Sequence, residues 1–261
     1  MLRHARLYLS FFSIQMRLLL EYRASFLIGL GAHFLIQGAN LATIWVVMQQ
    51  IPALNGWTLP ELLLIYGLTI FCRSFSHMFA DNTWRVGGAI RYGSFDRYLV
   101  RPVDPLFHLL ADDFSIDGLG NFLIGGTLVL TTGQALGIFS SLFNIAYLVL
   151  AIASGALIFF ALNLITCSSA FWIIDSIPVS GAVFENWLFA QYPLSIYPRA
   201  IEFMLTWIIP YGFASFYPAS FVLGRSPGPV VFAGPLVAAV LLVIGYRCWL
   251  AGLSRYEGTG S

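Results

Sequence analysis

Three titratable side chains in the second long apolar segment have types and spacing that could do chemistry. Arg73, His77 and Asp81 follow one another at intervals of four residues, so they share one face of a helix. A histidine beside an aspartate resembles a proton relay or half of a metal site, but the sequence supplies no third ligand nearby. An arginine inside a membrane either pairs with an acid or extends towards the interface. The row therefore indicates either a transport path through Arg73 or a structural ion pair near the cytosol.

A second polar stripe lies in the first long apolar segment. His33, Gln37 and Asn40 stand at positions i, i+4 and i+7. Polar groups at hydrocarbon depth usually face other helices or a cavity. The stripe therefore predicts a helix face that is turned away from lipid.

Three acids, Asp112, Asp113 and Asp117, stand just before the third apolar segment. One interpretation is a cation site. The other is that the positive end of a helix dipole favours carboxylates in the first turn. Because Arg97 and Arg101 are also close in the sequence, the second interpretation is favoured.

The basic residues exclude two kinds of enzyme chemistry, because all 13 of them are arginines and the chain has no lysine. A P-loop needs a lysine on the nucleotide phosphates, and a Schiff base needs a lysine amine. The sequence contains neither GxSxG nor HExxH, and its three cysteines form no CxxC pair. We therefore predict that the chain is not an enzyme and carries no cofactor or metal of its own.

The composition is that of a polytopic membrane protein. Apolar residues make up 59% of the chain and charged residues 10%, whereas soluble domains carry roughly 25% charged residues. A chain of 261 residues is long enough for about six membrane-spanning helices with short loops. We predict an all-α fold in one transmembrane domain, residues 1–261. The net charge of +1 gives no indication of nucleic-acid binding.

The apolar segments predict where the spans lie. Residues 1–23 carry a helical apolar spacing interrupted by charges, which predicts a helix lying in the interface before the first span. Residues 175–198 hold prolines and aromatic residues and are interpreted as an amphipathic connector on the cytoplasmic side. The predicted spans are residues 24–47, 61–80, 116–136, 144–165, 199–211 and 230–250.

The fifth predicted span is too short to cross as an ideal helix, since about 20 residues are needed. Residues 210–224 must therefore complete the crossing or re-enter from outside. Broken backbone at membrane depth needs protein or water around it. On this basis residues 210–229 form a re-entrant or loop region on the outer side.

The arginines predict the orientation of the chain. Only Arg225 falls in a loop on the outer side, and Arg73 is intramembrane. Positive loops stay in the cytoplasm, so both termini and the loop over residues 85–110 are predicted to be cytoplasmic. The arginines assigned to that side are Arg3, Arg6, Arg17, Arg23, Arg85, Arg91, Arg97, Arg101, Arg199, Arg247 and Arg255.

The longest polar island of the chain is AIRYGSFDRYLVRPVDPL, residues 89–106. Ser94 is a candidate N-cap, and Pro102 ends the helix after about two turns. Phe95, Tyr98 and Leu99 have the spacing of one apolar patch. A short charged helix with such a patch, between two spans, predicts a docking element for a partner protein on the cytoplasmic side.

Residues 93–106, GSFDRYLVRPVDPL, together with the layout of spans, resemble the permease subunits of type-2 ABC exporters. The likeness is to the small bacterial permeases made as separate chains, whose second loop carries G-x-(L/I/F)-(D/E)-x-x-L-x-(K/R)-P-(V/I). Tyr192-Pro193 and Ile209-Pro210 add a looser match. The resemblance implies a coupling helix that docks onto an ATPase subunit through Phe95, Asp96, Arg97, Tyr98, Leu99 and Arg101.

The resemblance also implies an assembly in the bacterial inner membrane. Two copies of a nucleotide-binding subunit would carry ATP and Mg, and a second permease, identical or related, would pair with this chain. Spans one, two and five would line the path of an amphipathic small molecule or lipid-like substrate. The candidate path residues on that basis are Gln37, Asn40, Arg73 and His77. The family pattern contains no residue that corresponds to Arg73.

Three other functions are less well supported by the sequence. An ion- or proton-coupled secondary transporter would use Arg73, His77 and Asp81, but such transporters often show an inverted repeat with matching broken helices. The sequence has one broken region, near residues 210–224, without a match in the first half. A membrane enzyme finds no supporting motif. A channel or scaffold acting as a lone chain remains an alternative.

Overall fold

The computed structural model describes residue 21 and residues 23–112, 115–173, 176–225 and 227–256, and among these there are helices, turns and no strand. The predicted all-α polytopic fold is confirmed. The predicted interfacial helix over residues 1–23 lies almost wholly outside the described residues. The long helices are α1 (Arg23–Gln50), α2 (Leu59–Ala80), α6 (Ile116–Ala135), α7 (Leu142–Ser168) and α11 (Gly234–Leu253).

Two ends of the bundle are distinguished by their loops. The Trp57 end contains the loop over residues 51–58. The arginine-rich end contains a 3₁₀ turn, Asp81–Arg85, and then the segment over residues 86–111. That segment is built of three short helices, α3 (Val86–Arg91), α4 (Asp96–Leu99) and α5 (Pro105–Ala111).

Helix α2 forms the centre of the bundle and packs against α6 and α7, while α7 also packs against α11. Glycines on α6 let the backbones of α2 and α6 approach closely. A Cβ atom added at Gly125 would lie 2.7 Å from the backbone nitrogen of Phe71, and one added at Gly118 would lie 2.7 Å from that of Met78. Close backbone approach at small residues is how helices gain packing contact in a membrane.

A wide apolar groove runs between α2 and α7. Its volume is about 750 Å³, and Phe71, Phe75, Val149 and Leu157 are among its lining residues. Since the lining is apolar and belongs to crossing helices, the groove lies at the level of the hydrocarbon.

The fifth crossing differs from the prediction. It is formed by residues 177–196, as α8 (Ile177–Phe184) followed by the 3₁₀ helices Glu185–Gln191 and Leu194–Ile196. Near the arginine-rich end, Phe184 contacts His77. At the Trp57 end, the backbone oxygen of Ser195 accepts a hydrogen bond from Asn55 over 2.7 Å. At helical rises of about 1.5 to 2.0 Å per residue this stretch spans about 30 to 40 Å, enough to cross a membrane.

The predicted cytoplasmic connector over residues 175–198 and the predicted span over residues 199–211 are therefore both wrong. Prolines and polar residues interrupt the apolar pattern of the real crossing. Its backbone is satisfied instead by neighbours, because the oxygen of Ala190 accepts hydrogen bonds from Thr69 and Ser215. Irregular backbone at membrane depth is stable when protein surrounds it in this way.

Residues 199–224 form a hairpin that returns to the end where it began. One limb is α9 (Arg199–Phe203) with a π-helical turn, Met204–Ile208, and the other is α10 (Phe216–Val222). At its tip, Tyr211 stacks on Phe159 of α7. The chain thus re-enters, which was one of the two predicted courses, and Arg199 belongs to the Trp57 end rather than to the arginine-rich end.

The described part of the chain crosses between the two ends six times, through α1, α2, α6, α7, residues 177–196 and α11. Within the described residues, four helices are long and apolar enough to span a membrane by length and composition alone. They are Phe26–Gln50, Leu59–Arg91, Leu142–Phe171 and Gly234–Leu253.

Candidate functional site

The 86–111 segment folds back on itself through a tight turn. Gly93 has a φ of +70°, which a residue with a Cβ rarely adopts. The nitrogen of Phe95 then donates to the oxygen of Ala89 over 3.0 Å. Helix α4 is one turn long rather than two, and Phe95 occupies its N-cap position. The predicted cap is absent, because the hydroxyl of Ser94 points back to the oxygen of Ala89.

The predicted apolar patch is divided by the structure. Phe95 and Tyr98 are buried, with 0% and 1% of their surface exposed. The ring of Phe95 lies 5.4 Å from that of Phe171 and 6.1 Å from that of Trp249, measured between centroids. Phe95 therefore fastens the segment to α11 and to the 3₁₀ turn that follows α7, and only Leu99 of the three patch residues is exposed.

Charged side chains tie the segment to its surroundings. Arg97 pairs with Asp112 over 3.0 Å, and the hydroxyl of Tyr98 donates to the same carboxylate over 3.1 Å. Of the three acids weighed from the sequence, Asp112 thus serves an ion pair, while Asp113 and the side chain of Asp117 lie outside the described residues. On the other side of α4, the hydroxyl of Tyr256 donates to Asp96 over 2.8 Å.

The exposed face of the segment is apolar at its centre. Tyr92 and Val100 are each 80% exposed and Leu99 is 42% exposed, while the side chains of Arg97 and Arg101 stand on the same loop. Tyr92 and Val100 were not predicted as site residues. The signal available in the sequence was the number of apolar residues in the island, which exceeds what one face of a short helix can bury.

His108 of α5 links the segment internally. A guanidinium nitrogen of Arg101 lies 2.9 Å from Nε2 of His108. Since arginine can only donate, this ring nitrogen accepts and the imidazole is neutral. Burial, and then the positive charge of Arg101, lower the pKa of His108 below the ordinary value of a histidine, although Asp112 acts in the opposite direction.

We expect acid to weaken the 86–111 segment. The unfolded chain binds a proton at His108 near pH 6.5 and the folded chain only at lower pH, so the stabilisation is complete above about pH 6.5 and declines as the pH falls below it. The melting temperature of the purified protein should fall between pH 7.5 and pH 5.5, and fall less in His108→Gln, which keeps an acceptor but does not titrate. An equal fall in both proteins would contradict this role of His108.

The structure brings together the row of Arg73, His77 and Asp81, as its spacing predicts. A guanidinium nitrogen of Arg73 lies 3.0 Å from Nε2 of His77, and Nδ1 of His77 lies 3.7 Å from Asp81. The guanidinium carbon of Arg73 also lies 4.1 Å from the ring centroid of Trp187 and 5.0 Å from that of Phe184. The row thus faces the fifth crossing, where aromatic rings stabilise the cation.

The polar stripe of α1 serves contacts between helices. The side-chain oxygen of Asn121 on α6 accepts from Gln37 over 2.9 Å and lies 2.8 Å from a ring nitrogen of His33. The oxygen of Gln37 accepts from Asn40 and from Tyr66 of α2. Gln37 is only 3% exposed, so in this conformation Gln37 and Asn40 hold α1 against the bundle.

One family comparison identifies the chain. A family model described as "ABC-2 family transporter protein" matches residues 34–260. The chain belongs to this family. Comparisons with curated proteins and with solved structures give no match.

As an ABC-2 permease, the chain is a multi-pass membrane protein and the transmembrane component of an ABC transporter. It is a transport component and not itself catalytic, and the family implies an associated ABC ATPase subunit. The predicted resemblance to type-2 ABC permeases is thereby confirmed.

Proposed function

We propose that this ABC-2 permease is the membrane subunit of an exporter, and that a separate ATPase docks on the exposed face of the 86–111 segment. The observation that carries the proposal is the contrast within that segment. Its buried aromatics fasten it to α7 and α11, while Tyr92, Leu99 and Val100 are exposed. A fastened element with an exposed apolar centre can transmit a rigid displacement from a partner to the spans.

Charge supports the position of the ATPase. Arg85, Arg91, Arg97 and Arg101 lie at the arginine-rich end, and arginine excess marks the cytoplasmic side of inner-membrane proteins. The charges around the apolar centre would set the register of docking, while the apolar side chains give affinity. Two ATPase copies, each holding ATP and Mg, would engage two permeases in the bacterial inner membrane.

The surface of the fifth crossing supports pairing with a second permease, identical or related. Leu188 and Phe189 are exposed there, and Trp207 and Ile208 continue the exposed surface on the hairpin. Glu185 is exposed on the same crossing. A carboxylate at membrane depth faces protein or water rather than lipid, so we place the substrate path between two copies at this surface.

Arg73 and His77 lie behind this surface, against Phe184 and Trp187, and we propose them as path residues. Gln37 and Asn40 border the path through α1. The apolar surroundings suit an amphipathic or lipid-like molecule, and the arginine suits one with an acidic group.

The test is co-purification of the His-tagged permease with the ABC ATPase encoded beside it, in mild detergent, followed by ATPase assays. We expect a stable complex and ATP-dependent accumulation of substrate in inside-out vesicles. A permease that is stable but retains no ATPase would contradict the proposal. Proton-coupled transport through Arg73, His77 and Asp81 would then be the function to test.

A further inference from the structure

One loop at the Trp57 end holds both ends of the re-entrant hairpin. Before the hairpin, Asn55 donates to the backbone oxygen of Ser195 over 2.7 Å, and the indole nitrogen of Trp57 donates to its hydroxyl over 3.0 Å. After the hairpin, Arg225 donates to the backbone oxygen of Gly56 over 2.8 Å. We call the loop over residues 51–58 the clamp loop.

Arg225 makes a second contact, with the first turn of α2. Its guanidinium lies 2.9 Å from one carboxylate oxygen of Glu61 and 4.9 Å from the ring of Trp57. The other carboxylate oxygen of Glu61 accepts from the backbone nitrogen and the hydroxyl of Thr58. The side chain of Glu61 is only 10% exposed, and removing the partner of a largely buried charge is costly.

The backbone before Arg225 closes the C-terminal end of α10 in a left-handed turn, the usual way for a helix to end. Gly224 has a φ of +70° and Gly228 a φ of +116°, and glycine reaches these values without steric strain. The nitrogen of Arg225 donates to the oxygen of Ser220 in α10 over 2.8 Å. Movement of Arg225 therefore moves the second limb of the hairpin with it.

Helix α2 connects this contact to the opposite end of the bundle. It has 22 residues and so is about 33 Å long. Glu61 stands in its first turn, and the 86–111 segment follows its last. A displacement of that segment therefore reaches Glu61 through a continuous helix, while Arg225 belongs to a separate element.

We propose that Arg225 and Glu61 are a gate pair for transport. Their contact closes the hairpin over the outer end of the substrate path, and their separation lets substrate leave. They act as positioning residues through the hairpin. The inference rests on the proposed function, because it takes the Trp57 end as the exit.

A buried serine provides a probe of opening. Ser220 is 1% exposed, and Ser220→Cys changes its size little. In a background without the three natural cysteines, a membrane-impermeant maleimide should label this position slowly. Adding Arg225→Gln should raise the labelling rate about tenfold, since it leaves Glu61 without its cation, and Arg225→Lys should restore slow labelling. Ser140→Cys, which is exposed at the same end, should be labelled rapidly in every background.

If the contact between Arg225 and Glu61 only stabilises the fold, the result is different. If Arg225→Gln lowers the melting temperature but leaves the labelling of Ser220→Cys unchanged, the gate is overturned. A second variant fixes the closed state at the pair itself, with Glu61→Cys and Arg225→Cys joined by a reducible thiol cross-linker. We expect cross-linking to stop transport, reductant to restore it, and the bound ATPase to remain. Transport at the parent rate while cross-linked would also overturn the gate.

The labelling measurement needs no ATPase, so a failure of the proposed function can be distinguished from a failure of the gate. In the first case the ATPase does not co-purify, whereas the dependence of labelling on Arg225 is unaffected. The converse result is a permease that retains its ATPase and transports, but in which Ser220→Cys is labelled at the same rate with Arg225 and with Arg225→Gln. That result refutes only the gate.

Discussion

Changing Leu99 and Val100 together to aspartate is expected to remove the ATPase from the purified permease and to lower transport at least about tenfold. Burying a leucine or valine side chain at an interface contributes about 1.5 to 3 kcal/mol relative to leaving it exposed. The double variant loses both contributions and places two charges where the partner would be apolar. The measurements are ATPase retention on the affinity column and transport into vesicles at matched permease levels.

Two further variants separate docking from folding. Phe95→Ala removes a fully buried ring, which typically costs about 3 to 5 kcal/mol, so it should lower the melting temperature and the amount of permease. Ser254→Asp puts a charge on an exposed position at the same end, outside the segment, and should leave the complex intact. Normal ATPase retention by the Leu99/Val100 variant would refute docking at this face.

The second large effect is expected at the contact between α2 and α6. A Cβ at Gly125 would lie 2.7 Å from the nitrogen and 2.9 Å from the Cα of Phe71, and neither backbone atom can rotate away. Gly125→Ala should therefore push the helices apart and destabilise the protein by about 1 to 3 kcal/mol. The expected fall in melting temperature is about 2 to 12 °C.

Gly38→Ala is the matched control for this substitution. No atom lies within 4 Å of a Cβ at Gly38, and alanine is the better helix former. Its melting temperature should equal that of the parent or exceed it slightly. Equal melting temperatures for Gly125→Ala and the parent would show that this close approach does not contribute to stability.

Much of the fold could be predicted because long apolar segments dominate the chain. Their ends agree with the observed helices to within a few residues for spans one to four. The fifth crossing could not be found this way, since hydropathy detects continuous apolar helices and this crossing is stabilised by partners such as Thr69 and Ser215. Those partners become neighbours only when the chain has folded.

The candidate site was predictable in position but not in detail. The polar island and the Arg73 row follow from local spacing. Which aromatics of the island point inward depends on Phe171, Trp249 and Tyr256, which are far away in the sequence. In the same way, the sequence predicts that Arg225 lies in an outer loop. It does not show that its partner is Glu61, which stands at the start of the second span.

The broken fifth crossing has a consequence for biogenesis. Proline, glutamate and glutamine weaken the partition of this stretch into lipid, and its carbonyl at Ala190 needs donors from α2 and from the hairpin. The translocon is therefore expected to release it only after the earlier helices have assembled a receiving surface. The hairpin has to follow within the same step, so the C-terminal third of the chain integrates as one cooperative unit rather than helix by helix.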